Sequence, residues 1–576
     1  MSTGPGTPPD SAPDSPAGSL TGSPAGTVPG TLPAALDEAA RQHGGRQLVF
    51  PEAGERCTVA ELAHRSALFA DVLHTHQVGG DEVVGLLAEP GTAFFTAFFG
   101  VLRHGAAATA MPALSGLGSP QTQAERLAPL VDTTRMRHLI VAPELAPCAE
   151  LLRRLRPALR LIPMDAQGAV VRTGDPDPYA LAIVQFTSGS TSAPRGVTLT
   201  HTAAVHGVEA LARACRVTRE DTWVNWLPHY HDFGLVTDLV QLFHGGDLHI
   251  VSPLTLIRRP RAFLEYVAAC GGTCLAGPNF AYERMASAAD PAWISTLDLS
   301  RLRLCLNGAE PVVPGTLERF ARAVEAAGAP PNVLCPGYGL AEATLVAALC
   351  EPGTPPRIEY LHRELLAAGR IERVPAGDRN AKAVVSAGRP VDSVRTRITD
   401  AAGKPCPEGA LGEIQLRGRS LTTAYLHEEE ITAASFDGPW LRTGDLGFLL
   451  DGHLFIAGRS KEMIIVRGVN YFPEDAEAVA RAVPGVHRER CVAFAMNPTD
   501  PDEHLMLVAE SEAADPAEHA RLAREIAGRI SEHLGLAAVE VRIVPPRWLP
   551  KTTSGKWRRG AARSRLLTER PPARER

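Results

Sequence analysis

The chain has 576 residues and a formal net charge of −6, from 58 basic and 64 acidic side chains, so it carries no overall positive field that would attract nucleic acid. Apolar residues make up 45% and charged residues 21% of the sequence, which excludes a collagen-like, coiled-coil or wholly disordered protein. At roughly 150 residues per domain, this length predicts several domains.

Residues 1–33 contain eight Pro and six Gly without apolar periodicity, so we expect a disordered tail there, with a partner-docking segment as the alternative. The first 40 residues hold no Lys or Arg, which a secretory or mitochondrial leader would need. The ten cysteines lack zinc or disulfide spacing, a pattern typical of thiols in a reducing compartment. The most apolar stretch, residues 91–102, is too short to span a membrane. We therefore expect a cytoplasmic protein with no membrane span.

Helix-like and strand-like segments alternate over residues 34–457. Apolar periodicity predicts helices at Leu36–His43, Val59–His76 and Phe94–Leu102. Short apolar runs predict strands at Glu82–Leu87, His138–Val141 and Leu181–Phe186. The alternation predicts an α/β fold in which parallel or mixed sheets, flanked by helices, form a large N-terminal domain.

An insertion at about residues 353–382 interrupts this alternation. Its leucines and isoleucine at helical spacing predict a surface element outside the sheets: Leu361, Leu365, Leu366 and Ile371. The turn at residues 458–461 marks a domain boundary and hinge. Residues 462–566 combine short strands with helices at 473–483 and 516–533, which predicts a small mobile α+β C-terminal domain. Residues 567–576 form a basic tail.

A loop of small residues follows the strand that ends at Phe186. Its small residues let backbone N–H groups approach an anion closely, and its hydroxyls add further donors. The residues of this loop are Thr187, Ser188, Gly189, Ser190, Thr191 and Ser192. Arg195 adds a fixed positive charge, and no Gly-Lys-Ser/Thr of a Walker motif follows. The loop predicts a polyphosphate site, with a Ser/Thr-rich surface turn as the alternative.

The segment Pro336–Thr344 offers ligands of a second kind. It is predicted to be a turn after a short strand at Asn332–Leu334. Tyr338 presents a flat face for a nucleobase, and Glu342 presents a hard oxygen ligand for Mg²⁺. The alternative is a strand–turn–helix with a capping acid.

Isolated charged side chains are weaker signals. Asp445, before a hairpin predicted to turn at residues 451–452, suits either ribose hydroxyls or ordinary turn chemistry. His229 and His231 lack a third ligand at a sensible spacing, so they predict a pocket wall rather than a metal site. Only five of the 58 basic residues are lysine, and one of them, Lys556, lies in a loop of small polar residues. Codon bias accounts for the scarcity, while a retained lysine favours a site that needs a compact ammonium.

Together and in this order, these segments resemble the adenylate-forming (ANL) superfamily over about residues 35–565. Within it they resemble fatty acyl-AMP ligases, on the strength of segments 227–235, 277–283, 306–311 and 338–344. The resemblance implies that ATP and Mg²⁺ activate a fatty acid to acyl-AMP with release of pyrophosphate. The acyl group would then pass to the phosphopantetheine thiol of a separate acyl-carrier protein.

The same resemblance implies roles for individual residues. The β- and γ-phosphates would be held by Thr187, Ser188, Gly189, Ser190, Thr191 and Arg195. The rest of the AMP site would comprise Gly308, Ala309, Glu310, Tyr338, Gly339, Leu340 and Ala341, with Asp445 and Arg459 on the ribose. The substrate pocket would comprise Trp226, His231, Asp232, Phe233, Gly234, Asn279, Phe280 and Tyr282. Lys556, Glu342 and His231 would be catalytic, Glu342 would bind Mg²⁺, and Lys461 would be the hinge.

The sequence departs from the superfamily pattern at two positions, and two alternative functions compete with the acyl-AMP ligase interpretation. Arg195 stands where many superfamily members have Lys, and Ala341 stands where many have Thr, the latter as in the acyl-AMP ligases. An acyl-CoA synthetase is the first rival, although the insertion sits where acyl-AMP ligases carry one that hinders the CoA-using rearrangement. A catalytically silent homologue is the second. The last 30 residues, with ten basic and two acidic side chains, would either steer an acidic carrier protein or form a solvated tail.

Overall fold

The computed structural model describes residues 29–113, 119–187, 194–466, 469–496, 504–536, 539–551 and 557–569. It confirms the predicted α/β architecture: a large N-terminal domain of sheets and helices precedes a smaller α+β domain. No helix in these ranges is long and apolar enough to cross a bilayer.

The strands are numbered in chain order. Strands β1–β8 are Gln47–Phe50, Glu55–Thr58, Val83–Leu87, Ala107–Ala110, His138–Val141, Arg160–Pro163, Leu181–Thr187 and Arg195–Thr200. Strands β9–β14 are Trp223–Asn225, Leu248–Ile250, Cys274–Gly277, Leu304–Asn307, Leu334–Gly339 and Val346–Leu349. Strands β15–β22 are Ile358–His362, Ala381–Val385, Arg389–Pro390, Val394–Thr399, Gly412–Gly418, Phe436–Asp437, Trp440–Leu450 and His453–Arg459. Strands β23–β27 are Ile464–Val466, Val469–Tyr471, Cys491–Ala495, Leu505–Glu510 and Val539–Val544.

The helices are numbered in the same way. Helices α1–α7 are Leu32–His43, Val59–Thr75, Thr92–His104, Pro120–Thr134, Ala146–Leu155, His201–Ala214 and Asp232–His244. Helices α8–α14 are Pro253–Arg258, Pro260–Ala269, Asn279–Ala288, Pro291–Ile294, Pro314–Glu325, Arg363–Ala367 and Glu429–Ala434. Helices α15–α17 are Pro473–Arg481, Pro516–Leu534 and Arg559–Glu569. Short 3₁₀ turns occupy Pro143–Leu145, Ala341–Ala343, Ser460–Glu462 and His487–Glu489.

Two largely parallel sheets form the centre of the large domain. The six-stranded sheet has the order β6-β5-β3-β4-β7-β8, and only the β7–β8 pair in it is antiparallel. The nine-stranded sheet has the order β17-β14-β13-β12-β11-β9-β10-β1-β2, with parallel pairing from β13 to β1. Their apolar faces are covered by helices such as α3, whose run of buried phenylalanines belongs to the main core. Parallel strands bind ligands at their carboxyl ends, so this arrangement sets the position of the site.

A third, antiparallel sheet contains β18, β19, β20, β21 and β22. The β21–β22 hairpin turns at Asp451 and Gly452, as predicted, and both residues have positive φ angles of 53° and 73°. Two adjacent positive φ angles are what a tight two-residue hairpin requires.

The C-terminal domain has cores of its own. Strands β25, β26 and β27 form a sheet whose two faces pack against α15 and α16 on one side and α17 on the other. The 3₁₀ turn Ser460–Glu462 lies at the predicted boundary of residues 458–461, and the residue bounds of the domains stay a prediction.

Several predicted ends shift by one or two residues, and three other differences have a physical explanation or affect the predicted tails. Helix α1 begins at Leu32, inside the predicted tail, because Thr31 caps it by accepting from the Ala34 N–H (3.2 Å). The Asn332–Leu334 strand and the following turn are wrong, since β13 begins at Leu334 and runs through Pro336 to Gly339 between β12 and β14. Helix α17 runs to Glu569, into the predicted basic tail.

The insertion also differs from its prediction. Strands β15 and β16 form an antiparallel pair that encloses the short helix α13, so the segment is not free of sheet structure. Leu361 and Leu366 from it are buried in a cluster with Phe448 and Phe455 of the hairpin and Phe472 of the C-terminal domain. The insertion is therefore a bridge between the two domains.

Candidate active site

The predicted motifs meet at the carboxyl edge of the nine-stranded sheet. Segments 226–231, 278–280 and 308–310 follow the parallel strands β9, β11 and β12, and β13 itself carries Tyr338. Neighbouring parallel strands end at the same edge, so residues distant in sequence share one crevice.

The proposed ribose site is a chain of three hydrogen-bonded side chains. Tyr338 donates its hydroxyl to Asp445 Oδ2 (2.7 Å), and Arg459 donates Nε to Asp445 Oδ1 (2.9 Å). The Asp445 N–H is held by Thr443 Oγ1 at 3.1 Å. Burial and the adjacent carboxylate raise the pKa of Tyr338 well above its usual range, so the phenol stays a donor. The predicted Asp445 and Arg459 are thus in direct contact.

Glu342, the predicted Mg²⁺ ligand, is held by Tyr425. The Tyr425 hydroxyl donates to Glu342 Oε1 (2.8 Å), and the Glu342 carbonyl accepts from the Thr422 N–H (2.7 Å). Burial raises the pKa of Glu342, and the charge of Asp232 adds to the effect, while Arg459 opposes it. Asp232 and Arg459 therefore lie close enough to Glu342 to share its electrostatic environment.

The proposed phosphate side of the site is the end of the β7–β8 hairpin. Thr187 ends β7 and pairs with Arg195 at the start of β8, so these two residues frame the loop between them. Burial raises the pKa of Tyr425, and the positive charge of Arg195 acts to lower it against that larger effect, so Arg195 lies on the Tyr425 side of the site. The remaining predicted phosphate ligands, Ser188, Gly189, Ser190 and Thr191, lie outside the described residues.

The proposed adenine loop follows β12. Gly308 donates to the Gly277 carbonyl, and Ala309 has a positive φ of 66°. The Glu310 carboxylate accepts from the Phe280 N–H, which ties this loop to the neighbouring strand end.

The remaining predicted AMP residues form a tight turn after β13. A side chain at Gly339 would lie 1.7 Å from the Leu345 carbonyl oxygen, so only glycine fits there. Leu340 donates its N–H to the same carbonyl (2.9 Å), and Ala341 begins the 3₁₀ turn that presents Glu342.

The loop between β9 and α7 carries the predicted acyl-side residues. His231 is the N-cap of α7, and its carbonyl accepts from the N–H groups of Gly234 and Leu235. Asp232 accepts from the Phe233 N–H (2.8 Å). A side chain at Gly234 would lie 2.3 Å from the Pro228 carbonyl oxygen, so the glycine lets the helix pack on its own loop.

The other predicted pocket residues divide into an aromatic pair and supporting side chains. Trp226 donates to the Ala276 carbonyl and meets Phe280 edge-on, with ring centroids 6.1 Å apart. Asn279 accepts from the Val313 N–H and donates to Thr316. Tyr282 is fully buried behind the site, where its hydroxyl donates to the Leu306 carbonyl (2.5 Å). Trp226 and Phe280 therefore form an apolar aromatic contact, whereas Asn279 and Tyr282 hold the neighbouring segments in place.

The C-terminal domain faces the adenine loop. Lys551 and Arg481 both experience the charge of Glu310, which places this domain against the site. Lys556, the predicted catalytic lysine, lies outside the described residues. Lys461 is exposed in the 3₁₀ turn between the domains.

An ion pair joins the insertion to the C-terminal domain. Lys382 Nζ lies 2.8 Å from Asp475 Oδ1 and 4.0 Å from the ring centroid of Phe472. Asn470 adds a hydrogen bond to the Ala367 carbonyl (3.2 Å). We call these contacts the insertion clamp.

Sequence reasoning missed Tyr425 and Lys382. No local pattern marks Tyr425, which lies 83 residues from its partner Glu342. Lys382 was visible as one of five lysines, but its partner Asp475 belongs to another domain.

The donor set around Glu342 fits Mg²⁺. No cluster of three or more His, Cys, Asp or Glu side chains occurs in the part of the chain that the structure describes. Mg²⁺ bound through one carboxylate and substrate phosphates needs no such cluster. The carboxylate is fixed by Tyr425 through one oxygen.

Comparison with known proteins agrees with this geometry. The family model described as AMP-binding enzyme matches residues 36–426. The medium-chain-fatty-acid–[acyl-carrier-protein] ligase JamA of Moorena producens is 35% identical over 404 residues, covering 67% of this chain and 68% of that protein. The putative fatty-acid–CoA ligase FadD21 of Mycobacterium tuberculosis is 32% identical over 540 residues, covering 88% and 91%.

Among solved structures, a fatty acyl-adenylate ligase from work on the E. coli and L. pneumophila enzymes superposes with a TM-score of 0.87 at 28% identity. The match covers 93% of this chain and 98% of that one. The edge-of-sheet site, the family model and the structural match lead to one conclusion: the chain belongs to the family of AMP-binding enzymes and is an AMP-forming ligase.

Proposed function

We propose that the protein activates a fatty acid with ATP and Mg²⁺ to acyl-AMP and then transfers the acyl group to the phosphopantetheine thiol of a separate acyl-carrier protein. The observation that carries the proposal is the convergence of Glu342 with the Tyr338–Asp445–Arg459 chain beside the hairpin end framed by Thr187 and Arg195.

In the first half-reaction a carboxylate oxygen of the acid forms a bond to the α-phosphorus of ATP, and the bond to pyrophosphate breaks. Two anions must approach each other, so fixed cations and oriented donors supply most of the rate enhancement. Arg195 would face the outer phosphates and Glu342 would hold Mg²⁺, which neutralises phosphate charge when bound. Asp445 would orient the ribose, and Lys556 would bring an ammonium to the site.

In the second half-reaction the thiol gives up its proton to solvent and its sulfur bonds to the acyl carbon. The C–O bond of the acyl–phosphate anhydride breaks, and AMP leaves with that electron pair. A carrier-borne thiol and CoA present the same phosphopantetheine arm. The choice of acceptor therefore depends on which positions the C-terminal domain can adopt. The insertion clamp holds the C-terminal domain to the large domain through Lys382, Asp475 and Phe472. A clamp that restrains this domain supports a carrier protein over CoA, because CoA use in the superfamily needs the domain to move.

Fatty-acid specificity is supported by the apolar aromatic contact of Trp226 and Phe280 and by the named substrates of JamA and FadD21. We also infer a cytoplasmic location, because all ten cysteines are free thiols.

The test is pyrophosphate release from ATP with a panel of fatty acids, using Lys556→Ala and Lys404→Ala variants. Lys404 is exposed in the connection between β18 and β19 and serves as the matched control. We expect Lys556→Ala to lose pyrophosphate release while retaining ATP binding, and Lys404→Ala to match the wild type. Unchanged release in Lys556→Ala would refute the catalytic assignment, and no release by the wild type with any acid would refute the function.

A further inference from the structure

The loop that carries His231 and leads into Asp232, the first residue of α7, has no regular secondary structure. It spans the gap between the end of β9 at Asn225 and the start of α7. Catalytic geometry therefore depends on what fixes this loop, since an irregular backbone lacks the ladder of a helix or sheet.

A buried asparagine fixes both ends of the loop. Asn225 is fully buried, and its Oδ1 accepts from the Leu227 N–H (3.0 Å). Its Nδ2 donates to the Gly234 carbonyl (3.1 Å) and to Asp238 Oδ1 (2.7 Å). One side chain thus joins the last residue of the strand to the first two turns of the helix.

A buried histidine fixes the middle of the loop. His229 Nδ1 lies 3.0 Å from Asp238 Oδ2, and the two side chains are 4% and 0% exposed. The His229 ring stacks on Phe94 with centroids 4.5 Å apart and meets Phe95 edge-on at 5.0 Å. Since both phenylalanines belong to α3, the contact anchors the loop to the helix layer of the other sheet.

Stability alone does not explain this network, because burying polar side chains lowers the free energy of unfolding. Buried polar side chains lose their hydration, which costs free energy even where they are paired. The best-attested benefit of such groups is that they select one conformation. His229 and Asp238 are unused by the proposed chemistry, yet His229 lies two residues before His231.

We propose that His229, held by Asp238 and the Phe94–Phe95 pair, is a positioning residue that sets the location of His231 and Asp232 in the active site. The inference rests on the proposed function for the roles of His231 and Asp232. It adds that the acyl-side geometry is maintained by a polar network behind the loop.

The test compares His229→Leu with His229→Asn. Leucine keeps the apolar contacts but removes the contact with Asp238 Oδ2, whereas asparagine places an amide N–H near the position of Nδ1. We expect His229→Leu to lower kcat for pyrophosphate release about 100-fold, as small misplacements of reacting groups do. The KM for ATP should stay within roughly threefold of wild type, because the nucleotide contacts lie elsewhere. His229→Asn should recover most of kcat.

His249→Leu is the matched control. His249 lies on the neighbouring strand β10 and contacts the Tyr266 hydroxyl (2.7 Å), away from the loop, so we expect unchanged kcat. A loss of stability without loss of kcat in His229→Leu would overturn the proposal, as would a fall in kcat that asparagine fails to restore.

A crystal structure of His229→Leu tests the inference without turnover. We expect the backbone at His231 to move from its wild-type position by about 1 Å or more, the scale that affects catalysis. An unmoved loop would overturn the proposal whatever reaction the enzyme performs. A wild type that releases no pyrophosphate with any acid would instead refute the proposed function, and the crystal structure would still decide the inference.

Discussion

Removing the lysine of the insertion clamp should allow the protein to use CoA. In Lys382→Ala the ion pair with Asp475 and the contact of the ammonium with the Phe472 ring both disappear. The apolar cluster around Phe472 remains, so the C-terminal domain should be loosened rather than detached.

The magnitude follows from the geometry. The Lys382 and Asp475 side chains are only 14% and 9% exposed, so solvent screens the pair weakly. Truncating one partner of a buried charge pair costs 2–5 kcal/mol, and about 2 kcal/mol applies here because Asp475 regains water when the domain moves. The cation–π contact at 4.0 Å adds about 1 kcal/mol. A total of about 3 kcal/mol raises the fraction of molecules whose C-terminal domain is released from the insertion about 100-fold.

The assay follows acyl-CoA by mass spectrometry after mixing enzyme, ATP, Mg²⁺, fatty acid and CoA. Lys382→Ala should form acyl-CoA about 100-fold faster than wild type, with pyrophosphate release changed less than about twofold. Lys404→Ala again serves as the control. Equal acyl-CoA formation by Lys382→Ala and wild type would refute the view that the insertion clamp controls the acceptor.

Three further changes have defined outcomes. Asp445→Ala should weaken AMP binding in calorimetry by about 2–3 kcal/mol, because Tyr338 and Arg459 lose their acceptor and the ribose loses a carboxylate; unchanged affinity would contradict the ribose assignment. Glu342→Gln should lower Mg²⁺-dependent pyrophosphate release more than about 100-fold with AMP affinity retained. Burial lowers the pKa of His201 from 6.5 to about 4, so the folded protein should lose about 3 kcal/mol of stability as pH falls from 6.5 to 4. Denaturant unfolding of His201→Asn should lack this loss, and equal pH dependence in both proteins would contradict it.

The local sequence pattern predicts the type and ends of an element correctly where its residue preferences agree with its packing. The strand His138–Val141 has the predicted ends, because a short apolar run suits a strand buried on both faces. The strand through Pro336 and Gly337 was missed because both residue types disfavour strands. Neighbouring β12 and β14 override that preference by pairing with β13 on both sides.

In the candidate site, too, local patterns predict some residues, while contacts between distant segments escape prediction. Residues that act from a single loop, such as Thr187 and Arg195, can be proposed from their spacing. Contacts between distant segments cannot, and Tyr425 on Glu342 is an example because chain topology alone brings them together. The pairing of β15 with β16 was hidden for a related reason, since a strand's preference depends on its partner.

The central claim is that the protein makes acyl-AMP and delivers it to a carrier protein. One competition experiment tests it directly: wild-type enzyme, ATP, Mg²⁺ and a fatty acid are mixed with equal concentrations of a phosphopantetheinylated acyl-carrier protein and CoA, and both thioesters are quantified by mass spectrometry. We predict acyl-AMP with acyl-carrier thioester and almost no acyl-CoA. Acyl-CoA formed at least as fast as the carrier thioester would contradict the account.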